Sequence, residues 1–229
     1  MDFTNIEKVE DLFHFLEKCS GNSENLIFRG VRKKSYKLVP SIGRFKTNKG
    51  KNFTLKDERL LLKLFKQKAY PYVKEHIDND LELLTIAQHH GLPTRLLDWT
   101  KNPLVAIYFA VRDEFLGNEK KENSLVYVYC LKEKVDLDET FDPFGIETIK
   151  RYIPKHWNPR IVSQSGLFTV HPSPGKPYDS ERIAKVEISF DIRKEIKKQL
   201  NRLGINEAVL FPDMDGICAH IKWLRTDIF

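Results

Sequence analysis

Three stretches of the chain carry polar side chains where packing alone would favour apolar ones. In residues 25–30, NLIFRG, Arg29 ends a short apolar run, at a strand end where charged groups meet either ligands or surface carboxylates. In residues 94–100, TRLLDWT, strand alternation puts Thr94, Leu96, Asp98 and Thr100 on one face and Arg95, Leu97 and Trp99 on the other. In residues 159–171, PRIVSQSGLFTVH, Arg160, Gln164 and His171 surround a short strand over 167–170 and can line a pocket. Arginines, hydroxyls and a carboxylate gathered in one cleft suit a nucleotide. The plainer alternative is a buried polar network of Arg29, Arg95, Asp98 and Trp99, with Asp98 anchoring an arginine, because a buried carboxylate needs a partner.

Charge distribution favours the same ligand class. The net charge is +6, but the segment from Arg29 to Lys51 holds nine basic residues and no acidic one. Such a block attracts phosphate-bearing partners, a nucleotide or a nucleic acid, unless it is a solvated loop. Asp213 and Asp215 sit in a turn before a helix, where a cap competes with acid–base or metal chemistry. His89 and His90 precede Gly91 at a helix end and suit the helix dipole; as neighbours they point about 100° apart, and no HxxxH or HExxH spacing occurs. No metal site is expected. GxSxG, P-loop and GxGxxG motifs are absent, which removes the usual support for hydrolase, P-loop NTPase and Rossmann readings.

The elements that position these residues follow from periodicity. Helices are expected over 8–19, closed by Gly21; over 55–69, with Leu60, Leu61, Leu64 and Phe65 as its stripe; and over 81–90. Another begins at Asn102-Pro103, an N-cap followed by a proline at the first helical position, and its apolar run 104–111 marks it as buried. After Asp191, read as a cap, Ile192, Ile196, Leu200 and Leu203 form a stripe stopped by Gly204; in the last helix Ile217, Ile221 and Leu224 are expected to face inward. Strands are expected at 26–29, 94–100, 125–131, 183–190 and 208–211, with 36–40 as a partner for the first, Gly30 as its exit, and 125–131 in mid-sheet. Residues 45–53 read as an exposed basic loop. Residues 132–181 are proline-rich and weakly patterned, which suggests a functional insertion or lid.

Composition bounds the class. With 229 residues, 41% hydrophobic and 31% charged, the chain suits one soluble α+β domain with a central mixed sheet and packed helices. There is no long apolar run and no signal-like start, so no membrane association and a cytoplasmic location are expected. Cys19, Cys130 and Cys218 form no CxxC pair and read as buried thiols. Oligomeric state is not encoded in any of these features.

Phe28-Arg29-Gly30, YKLVPS at 36–41, QHHGLPTRLLDWT at 88–100 and the apolar helix after it resemble the FRG domain, a family named for its Phe-Arg-Gly motif. RIVSQSGLF at 160–168 and LFPDMDG at 210–216 are similar to its later motifs, so the resemblance runs from about residue 9 to 225. It implies a bacterial or phage protein, with a role in phage defence, and a single FRG-like domain over 1–229.

A second resemblance, to ADP-ribosyltransferase-like folds, implies NAD as substrate. Arg29 would take the place of the early-strand arginine, and 94–100 with 102–111 that of the Ser/Thr strand and packed helix. The later glutamate has no clean counterpart among Gln164, His171, Glu207 and Asp213. On this reading Arg29, Thr94, Asp98 and Gln164 are the catalytic candidates, and Arg29, Thr100, Arg160 and His171 the nucleotide-binding ones. The alternative is a non-catalytic nucleic-acid or protein-binding module using the basic block.

Overall fold

The computed structural model describes residues 2–20, 25–72, 77, 79–115, 118–134 and 141–226. Its elements are α1 (Val9–Ser20), β1 (Leu26–Val31), α2 (Ser41–Arg44), α3 (Leu55–Ala69), α4 (Asp80–His89), β2 (Leu96–Thr100) and α5 (Pro103–Val111). They continue with β3 (Ser124–Cys130), β4 (Lys150–Tyr152), α6 (Pro159–Ser163), β5 (Gly166–Val170), β6 (Ile183–Ile188), α7 (Arg193–Arg202), α8 (Glu207–Leu210) and α9 (Met214–Thr226). The fold is α+β. The strands form one sheet in the order β4-β5-β2-β1-β3-β6. All five strand pairings are antiparallel, so the sheet is not mixed as expected.

Helices cover one face of the sheet. Over β1, β3 and β6, residues of α1, α5 and α7 pack on Phe28, Val126, Val128 and Val186. Over β2, β4 and β5, Leu62 of α3 and Leu81 and Leu84 of α4 pack on Leu96, Tyr152, Phe168 and Val170. Asp98, on the same face as Leu96 by alternation, therefore comes up between two groups of helices. The opposite face carries Ile27, Leu97, Trp99, Tyr127, Tyr129 and Leu167, and is covered by Leu38, Ile149 and Tyr178 of irregular segments.

Local chemistry accounts for the helix ends. Asn102 Oδ1 accepts from Leu104 N at 2.9 Å, with Pro103 in the first turn. Thr54 and Asp57 form a capping box at α3. Gly91 takes φ +90° after α4 and donates to Gln88 O, and Gly204 takes φ +80° after α7.

Gly30 does not end β1, which runs on to Val31. Its role is close approach: a Cβ there would lie 1.7 Å from the Ala106 carbonyl oxygen and 2.7 Å from Ala110 N of α5. Gly30→Ala must push α5 off the sheet and is expected to cost more than the roughly 1–3 kcal/mol typical of overpacking, read as loss of soluble yield or a collapsed thermal transition.

Several expectations are corrected. Residues 36–40 do not pair with β1; Leu38 instead makes a single bridge to Tyr178, because β2 and β3 occupy both edges of β1. In place of a strand at 208–211 there is the short helix α8, ending at Leu210 with Phe211 just beyond it, since Asn206 Oδ1 caps Val209 N and Leu210 N returns to the Asn206 carbonyl. In α3 the inward face carries Glu58 and Leu62, while Leu60 and Leu64 are exposed. Asp191 lies in a 3₁₀ turn, and α7 starts after it with no side-chain cap; Leu203 is exposed.

In α9, Ile217, Ile221 and Leu224 face solvent, because Gly216 rather than the apolar stripe is pressed against Phe211. The stretch 132–181 supplies β4, α6 and the interior strand β5, so much of it belongs to the sheet. Gly21 lies outside the described residues. Cys19 is buried, its thiol pushed up to about 12 by burial, whereas Cys218 is exposed. Among the described residues no helix is long and apolar enough to cross a membrane.

Candidate functional site

Asp98 is the centre of a polar network. β1 and β2 share the single pair Phe28–Thr100 and then part, and Arg29 spans the gap. Its Nη1 donates to the Asp98 carbonyl at 2.6 Å and lies 3.5 Å from the carboxylate. Gln88, from the last turn of α4, donates to Asp98 Oδ1 at 2.8 Å, and its own oxygen accepts from the Thr94 hydroxyl. Thr94 is tied further to Ser41 and to Leu96 N. Burial lowers the Arg29 pKa, and Asp98 opposes that shift. The Asp98 side chain is nevertheless 61% exposed, which leaves carboxylate surface for a ligand.

The network opens into a cleft of about 150 Å³ lined by Gln88, His89, Asp98, Trp157, Arg160 and Gln164, among others. Asn158 braces the lining residues: its oxygen caps α6 through Arg160 N, and its amide nitrogen donates to His89 Nε2 at 3.2 Å. His89 meets Trp157 edge-on at 5.3 Å, and burial lowers its pKa, with Arg160 adding to the effect. Arg160 lies 4.2 Å from the Phe211 ring, and its guanidinium has no hydrogen-bond acceptor among the described residues. Burial, then repulsion from Arg112, lowers its pKa, opposed by Asp213, Asp98 and Glu207. A half-buried cation with unused N–H donors lies beside the one carboxylate that lines the cleft among the described residues, an arrangement chemically able to take an anionic group next to a positive one.

Residues 24–119 match the family profile of the FRG domain. This span is an FRG domain. No curated protein and no solved structure matches the chain.

Within the FRG domain, the Phe28-Arg29-Gly30 triplet divides three tasks. Phe28 is buried in the core under α5, Arg29 holds Asp98, and Gly30 admits α5 to the sheet. Arg160, Gln164 and His171 lie beyond the matched span, yet β5 pairs along all of β2, from Leu96–Val170 to Thr100–Gly166.

The expected site residues separate into three groups. Arg29, Thr94 and Asp98 join one network, and Asp98, Arg160 and Gln164 line one cleft. Thr100 and Gln164 serve the frame: Thr100 donates to the Gln164 carbonyl at 2.7 Å, and the Gln164 amide donates to Leu210 O at 2.9 Å. His171 lies elsewhere, lining a different cavity.

Gln88, His89 and Trp157 were not among the expected site residues. Gln88 could have been found as a glutamine in the helix turn just before the polar strand; a lone Trp157 gave no such signal. Arg95 does not pair with Asp98. It forks onto Glu58 of α3 with two 2.9 Å bonds and donates to the Pro143 carbonyl. Asp213 caps α9 through Gly216 N, and Glu207 binds Tyr108 and Arg112, so neither lines the cleft, although both act on Arg160 through space.

His171 is 2% exposed, and burial, reinforced by Arg29 and Arg95, pushes its pKa down to about 3. Between about 6.5 and about 3 the unfolded chain takes up a proton that the folded chain refuses, so stability falls as pH falls through that window and levels off below it. Urea midpoints measured across the window are expected to show this slope, and His171→Gln is expected to flatten it.

Proposed function

We propose that the cleft acts on a nucleotide, and that its reaction is ADP-ribosyl transfer from NAD or hydrolysis of NAD. The observation that carries this reading is the pairing of an exposed carboxylate, Asp98, with an arginine, Arg160, whose donors are unused. Arg160 takes a phosphate, Trp157 offers a ring face, and Asp98, oriented by Gln88 and Arg29, faces the ribose. The bond from ribose C1′ to the nicotinamide nitrogen breaks, its electron pair leaves with neutral nicotinamide, and an acceptor nucleophile or water adds at C1′ and releases its proton to solvent. Asp98 stabilises the positive charge that develops on the sugar. At about 150 Å³ the cleft takes one ring or sugar, and the remainder of the ligand lies along the surface toward Arg160.

The test is nicotinamide release from NAD by the purified protein, with and without a cell extract as a source of acceptors. Arg160→Ala is expected to raise KM by roughly 10–100-fold with kcat nearly unchanged, the loss of one charge-assisted anion contact. No turnover by the wild type, or an unchanged KM in this variant, would count against the assignment. The alternative nucleic-acid-binding module has less support, because Arg32 and Lys33 of the basic block are paired with Glu119, and Lys34 with Glu187.

A further inference from the structure

The face of the sheet that carries Trp99 and Tyr129 holds a larger cavity, of about 490 Å³, which shares no lining residue with the cleft. Its size falls in the range of roughly 300–1,000 Å³ usual for small-molecule sites. A directed hydrogen-bond chain ends on its wall. An indole N–H can donate but not accept, so Trp99 Nε1 gives its proton to Thr169 Oγ1 at 2.9 Å. The buried Thr169 hydroxyl, 2.8 Å from His171 Nε2, has no other acceptor among the described residues, and satisfying its proton assigns it as the donor to Nε2. Nε2 is therefore the acceptor, and the ring proton sits on Nδ1.

Among the described residues that Nδ1–H has no partner, although His171 is 2% exposed and lines the cavity. Because the ring stays neutral, the donor is permanent at physiological pH.

The remaining walls define what the donor would meet. Tyr129 and Tyr178 join their hydroxyls at 2.9 Å, and Tyr178 meets the His171 ring edge-on at 5.8 Å, so the lining is aromatic. The charges at the rim balance. Arg182 is bound to Glu133 by two bonds of 2.9 and 3.2 Å, and the positive charge of Lys176 is offset by the negative charge of Glu147 in the same lining. Nothing in this arrangement calls for a charged ligand, and an aromatic wall beside one fixed donor favours a flat ring with an acceptor.

We propose that this cavity is a second ligand site, independent of the Asp98 cleft, for a neutral planar heteroaromatic ring bearing a carbonyl. The carbonyl accepts from His171 Nδ1–H, and the ring lies against Tyr129 and Tyr178. The whole chain is titrated with uracil, a neutral lactam, and with benzoate, an anionic ring, while the His171 Nδ1–H and Trp99 Nε1–H resonances are followed by nitrogen-15 NMR. Uracil is expected to shift both resonances saturably, and benzoate to bind at least about tenfold more weakly.

Ser173→Trp fills the cavity from an exposed position and is expected to abolish the uracil shifts with an unchanged melting temperature. Asp98→Asn is expected to leave them intact, which separates this site from the cleft. The proposal is overturned by absence of a saturable uracil shift, by benzoate binding as tightly as uracil, or by shifts that persist in Ser173→Trp.

Discussion

Asp98→Asn is expected to slow nicotinamide release by about 10²–10³-fold, the usual effect of removing one group that stabilises transition-state charge. It should do so without unfolding the protein. Asparagine keeps an oxygen for the Gln88 amide, and the short bond from Arg29 goes to the Asp98 main chain, which the substitution does not touch. With its side chain 61% exposed, position 98 is not a buried anchor, but Arg29, 20% exposed, loses its neighbouring carboxylate, so a modest stability loss of about 1 kcal/mol is expected. Initial rates at saturating NAD, set beside thermal melts of the same preparations, separate the two effects. A large drop in melting temperature with proportionate loss of rate would return Asp98 to the role of a structural residue.

The opposite pattern is expected at the Arg95–Glu58 pair. Arg95 is 1% exposed and Glu58 is 7% exposed, so neither charge has water to fall back on. Glu58→Gln or Arg95→Met strands the other partner, at a cost of about 3–5 kcal/mol. For a chain of this length that is a fall of roughly 6–20 °C in melting temperature. The double substitution Arg95→Met with Glu58→Leu should recover much of the loss, because removing both charges removes the unpaired one. Turnover per folded molecule should stay near wild type in all three variants, since neither residue lines the cleft. Equal stability of the single and double variants would show that the pair is not what holds α3 to β2.

The contrast between these two positions marks what the sequence can and cannot convey. Alternation held over 96–100, with Leu96 under α3 and α4 and Leu97 and Trp99 on the other face, but the strand expected from 94 begins at Leu96, and Arg95, in the bend before it, reaches Glu58 of α3. What Arg95 and Asp98 meet is a long-range matter: Arg95 finds Glu58 37 positions earlier, and Arg160 reaches the Asp98 cleft from more than 60 positions later.

Local signals were read well, because capping and periodicity are local physics. Asn102-Pro103 starts α5, Gly91 and Gly204 stop α4 and α7, and 183–188 alternates as an edge strand should. Short apolar runs were not resolved. Four or five residues at 207–211 fit either a 2-residue or a 3.6-residue period, and Asn206 as a cap decided for helix. Periodicity also names a stripe without giving its direction, which is why Ile217, Ile221 and Leu224 in α9 proved to face solvent. The motif residues of the FRG domain were legible as a group, but the division of labour in Phe28-Arg29-Gly30 depends on α5 and Asp98 arriving from elsewhere in the chain.

The most direct test of the nucleotide assignment is a crystal structure of the Asp98→Asn variant soaked with NAD, in which slowed turnover preserves the substrate. A phosphate oxygen is expected within hydrogen-bond reach of the Arg160 guanidinium, with a ring against Trp157 and the ribose of the nicotinamide end facing residue 98. No bound NAD at saturating concentration, or NAD bound with Arg160 and Trp157 untouched, would contradict it.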